Sequence, residues 1–168
     1  MEAARVATVD DLAALASLCR QGLAELAAQD RGGPLFVARE ARAEPVEDSL
    51  GAAFGDPEAI IVAGTFSQVV VGYGTGRLEK LANGSTLGVI DDLFVESGAR
   101  GVGVGEAMMS QLLAWFTERG CQGVDAVALP GMRASKNFFE TAGFTGRLIV
   151  MHHRMRQDEA VRPQAGSQ

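Results

Sequence analysis

"ARGVGVGEAMM", residues 99–109, decides how this chain is read. Arg100 stands ahead of alternating glycines, Gly101, Gly103 and Gly105, and the chain then runs straight into an apolar helical pattern. Glycine takes positive φ without strain and lets another group come close to bare N–H groups. A glycine-rich turn feeding a helix N-terminus therefore points unpaired amide hydrogens and the positive end of the helix dipole at one place, which suits an anion. Two common anion loops do not fit. A Walker A loop needs GxxxxGK[ST], and this stretch has neither the lysine nor the hydroxyl that bind phosphate and magnesium. A dinucleotide fingerprint needs GxGxxG near the first strand of a βαβ unit, whereas these glycines alternate as GxGxG past mid-chain. Asp125, about 20 residues further on, falls at the start of its strand and not at the end.

Working outward, "VGEAMMSQLLAWFTERG" (104–120) predicts a long helix ended by Gly120. Ala107, Met108, Leu112 and Trp115 form one stripe and Met109, Leu113 and Phe116 lie beside it, so the face packs on a sheet. Upstream, "AIIVAGTF" (59–66) and "QVVVGYGTGRLEK" (68–80) read as a tight antiparallel hairpin, and "NGSTLGVIDDLFVE" (83–96) as a further strand after an Asn-Gly turn. Downstream come a strand at 123–130, a helix at 132–142 closed by Gly143, and a last strand at 146–155. The N-terminal part predicts a strand at 5–9, with Thr8 and Asp11 as a capping pair. A helix then carries Leu12, Leu15, Cys19, Leu23 and Leu26 on one face, ended by "DRGGP", and a short second helix lies within 45–57. The long helix is a crossover, which makes its flanking strands parallel in an otherwise antiparallel sheet.

The 168 residues suit one domain with its own core, 47% of them hydrophobic and 21% charged, without an apolar run long enough for a membrane span. The start has no basic segment followed by an apolar one, so the expected place is the cytoplasm. A net charge of −6 argues against a phosphate-neutralising surface, hence no nucleic acid and no membrane among the expected partners. Cys19 and Cys121 lack metal or CxxC spacing and read as reduced, buried thiols.

Several spaced pieces together resemble the GNAT superfamily of acyl-CoA-dependent N-acyltransferases. They are Leu93-Phe94-Val95, then Arg100-Gly101-Val102-Gly103-Val104-Gly105, then Phe138-Phe139-Glu140 with Gly143-Phe144. The match is close over residues 88–145. It implies an α/β single-domain GNAT fold over residues 1–156, followed by a disordered tail at 157–168. The sheet would be mixed, mostly antiparallel and splayed between its central strands, with about four flanking helices. It also implies acetyl-CoA as acyl donor, no metal, and a small-molecule or peptide amine as acceptor. The coenzyme pyrophosphate would sit on the backbone amides from Gly101 to Glu106. The main chain of Leu93, Phe94 and Val95 would pair with the pantetheine arm, and an amide near Phe94 or Val95 would hold the oxyanion. A homodimer is expected by analogy.

Two positions depart from the family pattern. The tyrosine of its F-Y-E sequence is Phe139 here, and an asparagine seven residues earlier is Met132. Candidate substitutes are Tyr73, the single tyrosine, as proton donor, and Asn137, beside Lys136, as a cofactor contact. For the base, Asp91 and Asp92 are consecutive on a strand and so expected on opposite faces, Asp92 with Ile90 and Phe94, Asp91 with Leu93 and Val95. Asp92 is the preferred candidate. Either His152 or His153 would line the acceptor pocket if the last strand forms.

Overall fold

The computed structural model describes residues 1–155, so the tail expected at 157–168 lies outside the described residues. Five strands form one sheet in chain order: β1 (Glu2–Val6), β2 (Ala59–Phe66), β3 (Val69–Lys80), β4 (Thr86–Val95) and β5 (Gly123–Ala126). Neighbours are antiparallel except β4 and β5, whose parallel ladder runs from Leu87 opposite Gly123 to Ile90 opposite Ala126. The connection between them is the long helix α4 (Val104–Glu118), as its apolar stripe requires. Helices α1 (Leu12–Ala27), α2 (Gly33–Glu40) and α3 (Val46–Ala53) precede β2, and α5 (Arg133–Thr141) follows β5. The helices of the described residues therefore number five, against about four expected. The extra one is α2, which occupies the stretch read as a helix-ending turn: Gly32, at φ +92°, ends the approach, and Pro34 sits in the first turn of the new helix, where its missing N–H costs nothing.

The sheet separates two layers of core. On one face Ile61, Ala63 and Tyr73 pack with Leu15, Leu18 and Cys19 of α1 and with Val46 and Leu50 of α3. On the other, Ile60, Val62 and Ile90 pack under Val104, Met108, Leu112 and Phe116 of α4. The helix α4 lies close because the strands offer it glycines. A Cβ at Gly88 would stand 2.5 Å from the Phe116 ring, one at Gly76 2.7 Å from it, and one at Gly64 2.6 Å from Val104. Any side chain there would lift the helix off the sheet. The β2–β3 hairpin closes through Ser67 and Gln68, both at positive φ, the geometry that matches the strand twist.

β1 lies three residues earlier than expected, because Thr8 and Asp11 take the chain into a single helical turn (Val9–Asp11) ahead of α1. The Thr8 N–H donates to Asp11 Oδ2 at 2.8 Å, while Arg5 Nη1 and Nη2 donate to Oδ2 and Oδ1 at 2.7 and 2.8 Å. The Arg5 hydrogen bonds outweigh the opposing effect of burial and, with Thr8, hold the Asp11 carboxyl at about 2, below its ordinary 3.8. A depressed carboxylate stabilises the fold above its unfolded value, and the contribution disappears as pH falls from about 4 to about 2. With Arg5 half exposed, Asp11→Asn is expected to cost about 1–2 kcal/mol at pH 7. Urea unfolding at several pH values checks this: the gap from wild type should close at the acid end of that window.

Two expected strands are corrected. The strand read over 123–130 ends at Ala126, and Pro130, which has no N–H to give a ladder, lies beyond it. The strand expected over 146–155 is not formed: those residues pair with no strand and are exposed. Their apolar residues alternate onto both faces, a pattern that needs cover on both sides, and β5 offers only a four-residue edge.

Candidate functional site

β4 outruns β5 by five residues. Its ladder with β5 stops at Ile90, so from Asp91 to Val95 it has a neighbour only on the β3 side. Because no strand forms over 146–155, β5 is the last strand of the described sheet, and the gap lies between β4 and this edge strand and not between central strands as expected. Its local cause is a bulge: Thr75 pairs with Asp92 and Gly76 with Ile90, which leaves Asp91 as an extra residue and bends β4 there. Beyond the bulge the ladder can be followed group by group. Glu96 N–H donates to Val71 O, so Glu96 faces β3, and by antiparallel alternation Phe94 does too. Leu93 and Val95 then turn their N–H and C=O groups outward, into the gap that opens past the end of β5. Of the two amides named for the oxyanion, that of Phe94 is committed to the sheet and that of Val95 is free.

At the end of β4 the chain makes a single helical turn (Ser97–Ala99) and enters the glycine loop. Gly101 and Gly103 both take left-handed backbone, φ +76° and +93°, and Gly103 is the residue just before α4. Gly105 instead serves packing, since a Cβ there would stand 3.1 Å from the Phe138 ring. Among the described residues, no carbonyl and no side chain accepts from the amides of Arg100, Gly101, Val102, Gly103, Val104, Gly105 or Glu106; the first helical bond is Ala107 N–H to Gly103 O. Seven consecutive amides at the positive end of a helix are left to solvent or to a ligand. The guanidinium of Arg100 does not join them. Its Nε donates to Val95 O at 2.8 Å, its Nη2 reaches both Glu25 oxygens at 2.9 and 2.8 Å, and it lies over the Phe94 ring. It ties the loop to α1 and to the end of β4.

The bulge corrects the reading of the two aspartates. Past the extra residue the alternation restarts, so Leu93 and Val95 join Ile90 on the α4 side, while Phe94 packs toward α1. Asp91 and Asp92 both reach partners on the α1–α3 side: Asp91 takes Arg77, and Asp92 takes Thr75 and Arg42. Burial pushes the Asp91 carboxyl up, against the pull of Arg77. Asp92 is held unevenly. Arg42 Nε and Nη2 donate to its Oδ2 at 2.9 and 2.7 Å, and Thr75 Oγ1 donates to the same oxygen at 2.6 Å. The other oxygen, Oδ1, keeps its lone pairs open. Burial lowers the Arg42 guanidinium, but the charge and hydrogen bonds of Asp92 more than restore it, so it stays protonated. Sequence reasoning missed Arg42 and Thr75. Register would have found Thr75 opposite Asp92; nothing in the sequence around Arg42 marks it.

The remaining candidates fall apart in space. Tyr73 is 2% exposed in the α1-side core, with its hydroxyl against Cys19, and burial pushes its ionisation above the ordinary range. Phe139 packs edge-on against Phe138 and Phe144. Asn137 is exposed and lines an open cleft of about 390 Å³ between α4 and α5, together with Glu106 and Ser110. Lys136 spends its charge on Glu140 at 2.7 Å. His152 and His153 are exposed on the unpaired segment and line neither this cleft nor the groove beside β5. Cys19 is buried as expected, while Cys121 is only half-buried.

A free strand edge leading into a glycine loop with unpaired amides, on this sheet order, is the arrangement the motif resemblance implied. The sequence model of the Acetyltransferase (GNAT) family matches residues 21–144. The chain belongs to the GNAT acetyltransferase family. Among curated proteins no sequence matches it. Solved GNAT-like structures share the fold at low identity. A tetramutant of the BH1408 protein from Bacillus halodurans superposes with a TM-score of 0.78 at 18% identity, over 90% of this chain and 99% of that one. A putative acetyltransferase from Agrobacterium tumefaciens gives 0.68 at 18%, over 91% and 99%. The aminoglycoside acetyltransferase meta-AAC0020 from an uncultured soil metagenomic sample, solved with sisomicin, gives 0.68 at 17%, over 92% and 95%. Among the described residues of this GNAT protein, no helix is long and apolar enough to cross a membrane.

Proposed function

We propose that this protein transfers the acetyl group of acetyl-CoA to a primary amine by direct attack in a ternary complex, in the cytoplasm. The observation that carries this reading is the run of unpartnered amides from Arg100 to Glu106, continuous with the outward-facing main chain of Leu93 and Val95. Left-handed Gly101 and Gly103 fit a pyrophosphate closely approaching backbone N–H groups, and the free edge of β4 fits an extended pantetheine arm pairing as a strand would. The donor supplies a thioester carbonyl. The Val95 N–H, facing the gap, donates to the oxygen of that carbonyl as negative charge develops on it. Asp92 Oδ1 accepts an N–H of the amine and takes up its proton, while Arg42 and Thr75 fix the carboxylate through Oδ2. The leaving thiolate, with an ordinary thiol value near 8.5, is protonated by water, since Phe139 has no proton to give and Tyr73 is sealed in the core.

That last pair of observations favours a second reading, a catalytically silent acyl-CoA-binding module of the same fold. One experiment separates the two. Thermal unfolding is followed with acetyl-CoA, NAD or ATP, and thiol release is then followed across small amines, aminoglycosides, peptide N-termini and lysine side chains. At one hundred times its dissociation constant a ligand specific to the folded state adds about 2.7 kcal/mol. Stabilisation by acetyl-CoA alone together with amine-dependent thiol release is the expected result. Stabilisation without turnover on any amine gives the silent module, and no stabilisation at millimolar acetyl-CoA overturns both.

A further inference from the structure

The first strand brings an acid to the anion loop. Glu2 pairs with Phe66 of β2, and strand alternation puts its side chain on the α4 face together with Ala4, which packs against the core under that helix. There it lies against the glycine loop: a Cβ at Gly103 would stand 3.1 Å from Glu2 Cγ and 3.7 Å from both Cδ and Oε1. Among the described residues no cation pairs with Glu2, and it accepts from none of the loop's amides. The loop's own base, Arg100, is taken by Glu25. The side-chain charge lying against Gly103 is therefore negative and uncompensated, at the place whose amides and helix end suit an anion. Glu106, the other acid of this region, lines the cleft between α4 and α5.

We propose that Glu2 is an affinity-setting residue that holds coenzyme binding down. Its carboxylate complements the positive end of α4 in the free protein and repels the pyrophosphate of acetyl-CoA or CoA when either enters, so both bind more weakly than the amides alone would hold them. The inference rests on the acetyl-CoA reading of the loop. Repulsion through water between one carboxylate and two phosphate charges several ångströms away amounts to roughly three- to tenfold in affinity. Donor and product share the pyrophosphate, so both feel the same factor, and the product CoA leaves correspondingly faster. A carboxylate that merely supported the loop would act in the opposite direction, since its removal would loosen the amides and weaken binding.

The test is calorimetric titration of acetyl-CoA and of CoA into wild type, Glu2→Gln and Glu118→Gln. Glu2 is exposed, so its amide variant should fold as wild type does, which circular dichroism checks. Glu118→Gln makes the same change in net charge at the far end of α4, about 20 Å away, and should leave both affinities unchanged. Glu2→Gln should tighten acetyl-CoA and CoA by the same three- to tenfold at about 20 mM salt. The gain should shrink below twofold at about 500 mM salt, where the screening length falls from about 20 Å to about 4 Å. Unchanged or weaker binding by Glu2→Gln, an equal gain in Glu118→Gln, or a gain that salt does not reduce overturns the proposal while leaving the acetyl-CoA reading in place. Magnesium that tightens wild type but not Glu2→Gln would make Glu2 a metal ligand and also overturn it. Heat from neither coenzyme in any of the three proteins would remove the reading and this inference together.

Discussion

Gly101→Val with Gly103→Val is expected to remove stabilisation by acetyl-CoA, weakening its binding 100-fold or more, while the free protein still folds. Both residues hold positive φ, and for a β-branched residue that conformation is a genuine outlier, costing about 1–2 kcal/mol at each site. The loop escapes this cost by rotating into extended backbone. It can do so because nothing lies within 4 Å of a Cβ at Gly101 and only the flexible Glu2 side chain crowds one at Gly103, at 3.1 Å. Rotation redirects the amides that would otherwise point together at the pyrophosphate. A 100-fold loss corresponds to about 2.7 kcal/mol, the scale of a few charge-assisted hydrogen bonds. Calorimetric titration of acetyl-CoA into wild type and variant reads it directly. A control distinguishes backbone from side chain: Glu25→Gln releases the Arg100 guanidinium from a pair in which each side chain is 47% exposed, and should change affinity less than threefold. A larger effect of Glu25→Gln than of the glycine variant would move the anion site from the amides to Arg100.

The glycine loop was legible because its meaning is local: alternating glycines, then a helical stripe, admit few arrangements of backbone. The hairpin of β2 and β3 and the crossover through α4 followed from period and loop length in the same way. Where reading failed, the deciding contact was distant or the signal had two meanings. Gly33-Pro34 both ends one helix and begins another, and only packing of α2 beside α1 chooses the second. The bulge at Asp91 leaves no mark in "VIDDLFV", yet it reverses the faces of every residue after it and puts two carboxylates on one side. The strand expected over 146–155 does not form, because strand composition is not enough: pairing also needs a partner, which the described chain does not supply. Asp92 could be proposed as a base from sequence, but its fixed Oδ2 and open Oδ1 depend on Arg42, fifty residues earlier and in a loop with no motif.

That dependence sets the second large effect. Arg42→Met is expected to destabilise the fold by about 2–3 kcal/mol, because it leaves a carboxylate with 17% side-chain exposure without its counter-charge. The figure sits below the loss usual for fully buried pairs because water still reaches both groups. For a chain of this size it lowers the melting temperature by roughly 5–10 °C. If the loss came from the methylene stem of Arg42, removing Asp92 as well would add to it. If it comes from the stranded charge, Arg42→Met with Asp92→Asn should recover about 1 kcal/mol or more, the coupling expected of residues in direct contact. Urea unfolding of the two single variants and the double variant closes that cycle. Acetyl-CoA affinity should be unchanged in all of them, because no group in the Arg42, Thr75, Asp92 cluster belongs to the glycine loop. What should fall is amine-dependent thiol release. In Arg42→Met the carboxylate is present but no longer held by Oδ2, so kcat should drop further than the folded fraction does, whereas a purely structural pair would lose activity only in step with folding.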